Sequence, residues 1–154
     1  MLGKQKRILL FDDDYESLAD LKQYLEASLG FHVELTAEKQ LLERLQNERF
    51  DLICVDLMIH PTSLDANDQE VQNVHFEQVN WRRTGLELLR RLRQGEFSQE
   101  PDLGTSPQVP VLVLSAVANY SVEHELKGDD LVEYVEKPFA LEEVIERIRR
   151  LLQG

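Results

Sequence analysis

Three consecutive aspartates, Asp12, Asp13 and Asp14, stand where the apolar run RILLF stops, and a fourth, Asp56, closes the run FDLICVD. Carboxylates gathered at one place favour either protonation or the capture of a cation. A hard divalent ion prefers oxygen ligands, and magnesium in particular takes one or two carboxylates while keeping several waters for a phosphate to displace. A carboxylate is also a nucleophile toward phosphorus. Two more polar groups end apolar runs: Ser115 after VPVLVL, and Lys137 after LVEYVE, the latter a cation that could face the acids.

Such groups do chemistry only if the fold brings them together. The run ending at Phe11 is too short for a helix and reads as a buried strand. After the aspartates, Leu18, Leu21, Leu25 and Leu29 recur at helical steps, with Gly30 placed as a helix stop. Phe31, Val33 and Leu35 alternate as a second strand, and Leu41, Leu42 and Leu45 mark a second helix. FDLICVD is a third strand, Leu86, Leu89 and Leu92 a third helix, and VPVLVLS a fourth strand. A weaker amphipathic segment covers 120–127, LVEYVE is a fifth strand, and Leu141, Val144, Ile145, Ile148 and Leu151 form a last helix. Strict alternation of this kind predicts one α/β domain with a five-stranded parallel sheet covered on both faces. In an open sheet of this class, ligands bind outside the carboxyl ends of the strands, where the strand order reverses. With the order 2-1-3-4-5, strands one and three are neighbours at that point, so Asp12, Asp13 and Asp56 converge.

Composition narrows the class. The chain has 154 residues and a formal net charge of −12, which opposes nucleic-acid binding and excludes DNA as a direct ligand. The lone cysteine, Cys54, cannot form an internal disulfide and reads as a small core residue. No apolar stretch has the length of a membrane span or the flanks of a signal peptide, so the expected setting is cytoplasmic.

The stretches ILLFDDD, DLICVDLM, VLVLSA and YVEKPF together resemble the response-regulator receiver domain of two-component signalling. The resemblance spans nearly the whole chain and implies a flavodoxin-like (βα)5 fold. It implies that Asp56 accepts a phosphoryl group from a sensor histidine kinase or a phosphotransfer protein. It also implies that Asp13, Asp56 and the backbone carbonyl of Met58 hold Mg2+, with Asp12 acting through water. Lys137, before a cis proline, and Ser115 would assist, while Tyr134 would be the switch aromatic. Phosphorylation would then remodel the face of helix four, strand five and helix five, around 120–127 and 141–152, for an output protein and for a possible phosphorylation-dependent homodimer. Asp14 is read as a helix cap. With Gly154 last in the sequence, output is expected to pass through another protein, unless the chain is the excised receiver of a larger regulator.

Several features depart from the family. Serine stands for the commoner threonine at 115, Pro61 comes one residue late after Asp56, and Asp130 and Leu131 replace a Gly-Ala pair. Two stretches, at about 59–83 and 94–108, are longer than ordinary strand-to-helix connections and read as surface insertions. The first holds VHFEQVNW and the basic pair Arg82 and Arg83, and is expected to fold as an ordered lid that shields the phosphorylation site from water. His60 and His75 within it lack metal-ligand spacing. Rival chemistries fail on named residues. A haloacid-dehalogenase-type phosphatase needs an aspartate where Met58 stands, a flavodoxin phosphate loop would be repelled by Asp12–Asp14, and no P-loop motif is present. The surviving alternative is a pseudo-receiver that keeps the fold as a phosphorylation-independent scaffold.

Overall fold

The computed structural model describes residues 5–65, 67–99, 103–116, 124–126 and 128–153. Its main sheet is built from β1 (Arg7–Phe11), β2 (His32–Leu35), β3 (Leu52–Asp56), β8 (Val111–Ser115) and β9 (Val132–Glu136). These lie in the order β2-β1-β3-β8-β9 and all pair in parallel. The order expected from the sequence, 2-1-3-4-5, is the one observed. Two short hairpins, β4 (Thr62–Leu64) with β5 (Glu70–Gln72) and β6 (Ser98–Gln99) with β7 (Leu103–Gly104), occupy the long connections.

The central strands are buried on both sides because alternate residues point to opposite faces. Leu9, Phe11, Ile53, Val55, Val111 and Val113 pack on one face with Leu41 and Leu45 of α2 (Leu41–Asn47) and Leu88, Leu89 and Leu92 of α3 (Thr84–Arg93). Ile8, Leu10, Leu52, Cys54, Leu112 and Leu114 pack on the other with Leu18, Leu21 and Leu25 of α1 (Tyr15–Ala27). Val144, Ile145, Ile148 and Leu151 of α4 (Leu141–Gln153) complete that second layer. Burial pushes the Cys54 thiol pKa up, as an apolar core position requires.

Local chemistry sets the element ends. The Asp14 side chain accepts the Ser17 N–H at 3.2 Å and caps α1, as its position suggested. Gly30, two residues past the cap of that helix, has φ +70°, a conformation that glycine adopts without a Cβ penalty. At the start of α3, a Cβ on Gly85 would lie 2.1 Å from the Asp56 carbonyl oxygen, so only glycine lets the helix abut the end of β3.

The long connections are more deeply embedded than surface insertions would be. Ile59, Val74 and Phe76 are core residues, and so is Phe97. The β4–β5 hairpin is tied to the loop after β2 by backbone bonds from Val74 to Ala37 and from Lys39 to Gln72. The β6–β7 hairpin packs on α2, where buried Thr105 donates its hydroxyl to the Glu48 carbonyl at 2.8 Å. Val74 and Phe76 lie in the VHFEQVNW stretch expected to be ordered, whereas Ile59 and Phe97 stand outside it and gave no such sign. Of the segment expected over 120–127, residues 124–126 are helical and the remainder lies outside the described residues. Among the described residues, no helix is long and apolar enough to cross a membrane.

Candidate functional site

The carboxyl ends of β1 and β3 place Asp12, Asp13 and Asp56 side by side, each with a carboxylate oxygen within 4.8 Å of the others. Strand β9 runs on into Lys137, whose ammonium donates to Asp12 Oδ2 at 2.6 Å and lies 3.4 Å from Asp56 Oδ2. The Lys137–Pro138 peptide bond is cis. Asp12 is almost fully buried and Asp56 is 8% exposed, whereas Asp13 lies between buried and exposed. Asp56 Oδ1 accepts the Met58 N–H at 3.1 Å, and Asp12 Oδ1 accepts the Asp14 N–H at 2.8 Å.

Electrostatics follow from crowding. Burial, then the charge on Asp12, raises the Asp56 pKa to about 7, although Lys137 opposes the shift. Burial likewise raises Asp12 against the pull of Lys137. For Lys137, burial disfavours the ammonium, but Asp12 and then Asp56 outweigh it and hold its pKa above the ordinary lysine value. Asp12 and Asp56 therefore share one ammonium, and with Asp13 beside them the combined charge is left under-neutralised. This donor set, all oxygen and partly open at Asp13, suits a hard divalent cation such as magnesium.

Ser115 ends β8 and is 2% exposed, and its backbone carbonyl accepts the Lys137 N–H at 2.6 Å. In register, Leu114 lies opposite Asp56 and Ser115 opposite Glu136, so the hydroxyl is carried at the same sheet edge as the acids. Tyr134 is half-buried on β9 opposite Val113, on the α3 side of the sheet with Leu126 and Val132.

The sequence reading missed how the first long connection meets the site. The His60 backbone N–H donates to Asp13 Oδ2 at 3.0 Å. The His60 ring stacks on Trp81 with centroids 4.3 Å apart, and Arg82 lies over the same indole. No side-chain pattern announces a backbone donor, so only the apolar cluster around Trp81 hinted that the segment was ordered. Arg83, of the basic pair in the same segment, is paired with Glu125 at 2.9 Å.

Comparison with known proteins places this geometry. No protein-family model matches the chain. The response regulator MprA of Mycobacterium tuberculosis is 31% identical over 150 residues, which are 96% of this chain and 50% of MprA. A CheY-like response regulator receiver domain protein from Methanospirillum hungatei superposes with a TM-score of 0.65 at 25% identity, covering 97% of this chain and 95% of that one. The chain has the fold of response-regulator receiver domains, and nearly all of it aligns with a named response regulator. It spans about half the length of the curated relatives it matches. The receiver domain of the Pseudomonas aeruginosa sensor histidine kinase PA1611, whose active-site cleft coordinates magnesium, shares the fold with a TM-score of 0.62 at 22% identity, over 98% of this chain and all of that one. In this receiver, the acidic cluster sits where the family fold puts its ligand edge, at the reversal of strand order between β1 and β3.

Proposed function

We propose that this receiver takes a phosphoryl group onto the Asp56 carboxylate and uses it to switch protein–protein interactions. The observation that carries the reading is the meeting of Asp12, Asp13 and Asp56 at the carboxyl edge of the sheet, with Lys137 against Asp12 and Asp56. Asp13, Asp56 and the Met58 carbonyl would hold Mg2+, with Asp12 reaching it through water. Once bound, the ion neutralises charge on the carboxylates and on the phosphoryl oxygens.

An Asp56 carboxylate oxygen attacks phosphorus, and the bond from phosphorus to the donor histidine nitrogen breaks. Its electron pair returns to the imidazole of a sensor kinase or phosphotransfer protein. Asp56 must be ionised to attack, and its raised pKa means that cation binding and deprotonation go together. Lys137 swings toward the new phosphoryl oxygens, and the Ser115 hydroxyl donates to one of them. This chain supplies all of these groups itself, so transfer and later hydrolysis are self-catalysed. Tyr134 then turns inward and changes the surface around 120–127 and 141–152, where an output protein docks. The setting proposed is the cytoplasm.

Incubation with a small acyl-phosphate donor and magnesium tests the reading. One phosphoryl mass, labile to hydroxylamine and absent in Asp56→Asn, is the expected result. No labelling of the wild-type chain would instead identify a phosphorylation-independent scaffold.

A further inference from the structure

The β4–β5 segment touches the acidic site through the backbone of one residue. His60 donates its N–H to Asp13 Oδ2, while its own carbonyl accepts from the Asn73 side-chain amide at 2.8 Å. Asn73 closes the hairpin, is 4% exposed, and also donates to Ser63 Oγ at 3.0 Å. Its backbone N–H bonds the Pro61 carbonyl, and its neighbour Val74 is pinned to Ala37. On the other side, the buried Ile59 donates to the Trp81 carbonyl, and the His60 ring rests on the Trp81 indole. The short loop after Asp56 is thus held at both ends.

We propose that Asn73 is a positioning residue that fixes the His60 peptide and, through it, the carboxylate of Asp13. The inference rests on the reading of Asp13 as a metal ligand. Asn73 Oδ1 is buried and has no hydrogen-bond partner among the described residues. A buried acceptor left unpaired lowers stability, so packing alone would be better served by an apolar side chain. What only the amide supplies is the pair of donors to the His60 carbonyl and to Ser63. Of these, the first lies one peptide from the site. A carboxylate held by a fixed N–H presents its other lone pairs in one orientation, and partners that orient a ligand in this way commonly change metal affinity by about 10-fold to 100-fold. The long connection therefore acts as a brace for the metal ligand, in addition to any shielding.

The test is magnesium titration by calorimetry, alongside the magnesium-induced shift in melting temperature, on the full chain. Asn73→Ala removes the donor. Asn73→Asp keeps the size of the side chain but presents an oxygen to the His60 carbonyl, so it serves if the smaller residue loosens the hairpin. Ser63→Ala removes the other partner of the amide and leaves the His60 arm intact. Both Asn73 variants should weaken magnesium binding by about tenfold and shrink the melting shift, with Ser63→Ala matching the wild type. Wild-type affinity in the Asn73 variants would overturn the brace, as would an equal loss in Ser63→Ala, which would mark general loosening. A wild-type chain whose magnesium response equals that of Asp13→Asn would overturn the metal reading together with the brace, and that pattern is distinct from the other two.

Discussion

Lys137 and Asp12 form the tightest ion pair of the acidic edge, with Nζ 2.6 Å from Oδ2 and the carboxylate almost wholly buried. The ammonium is thus engaged mainly by Asp12, with Asp56 Oδ2 at 3.4 Å, and in the proposed transfer it must partly leave Asp12 to meet a phosphoryl group on Asp56. Lys137→Met should therefore leave a magnesium site whose phosphorylation is slowed strongly. Stopped-flow measurement of phosphoryl uptake beside a magnesium titration separates the two effects. Equal rates in mutant and wild type would remove Lys137 from the transfer step.

Asp13→Asn removes one of the three charges that attract the cation and should weaken magnesium binding by at least about tenfold, ~1.4 kcal/mol. The fold should persist, because Asp13 is not a core residue. Calorimetry with circular dichroism checks both expectations.

The pH dependence of stability carries a sign that can be worked out in advance. Asp56 titrates at about 7 in the folded chain against the ordinary 3.8. Below pH 3.8 the group is neutral in both states and burial costs nothing extra. Between there and about 7 the unfolded chain loses its proton first, so stability falls as pH rises, and the penalty is complete above about 7. Asp56→Asn should consequently melt higher than the wild type at pH 8, by a margin on the order of a few kcal/mol. The margin should vanish toward pH 4 and narrow when magnesium is added. Thermal melts across pH, with and without the metal, measure it.

Ser115→Ala should still bind magnesium and take up phosphoryl, since the hydroxyl is not among the carboxylates. It should lose the response of the Tyr134 ring, read from aromatic NMR shifts with beryllofluoride and magnesium. A ring response equal to the wild type would exclude Ser115 as the link.

Phe76→Ala tests how far the first long connection belongs to the core. The ring is 5% exposed and lies 4.2 Å beneath the Arg91 guanidinium. Its loss should cost roughly 3 kcal/mol in a denaturant titration. A surface excursion would lose far less.

Most of the frame was legible because strand ends and helix faces repeat in the sequence: ILLFDDD, DLICVD and VLVLS each gave a strand and the residue at its tip. The convergence of Asp12, Asp13 and Asp56 followed from the strand order alone. The support around them was not legible. The His60 N–H belongs to the backbone, and the Asn73 amide acts across residues that share no periodic pattern. Ile59, Val74 and Phe76 are spaced irregularly because they anchor a loop to an existing core and do not line one face of a helix or strand.

The contact between Gly85 and the Asp56 carbonyl also constrains how the gene can vary. An added methyl group would press on the strand from which Asp56 projects, with Val55 and Leu57 also within 3 Å. In a saturation library selected for phosphoryl uptake, codon 85 should therefore return glycine alone, although its side chain takes no part in the chemistry. The neighbouring codon for Leu86, half-exposed on the same helix, should accept several apolar replacements. Tolerance along this helix would then be graded by distance from one main-chain oxygen.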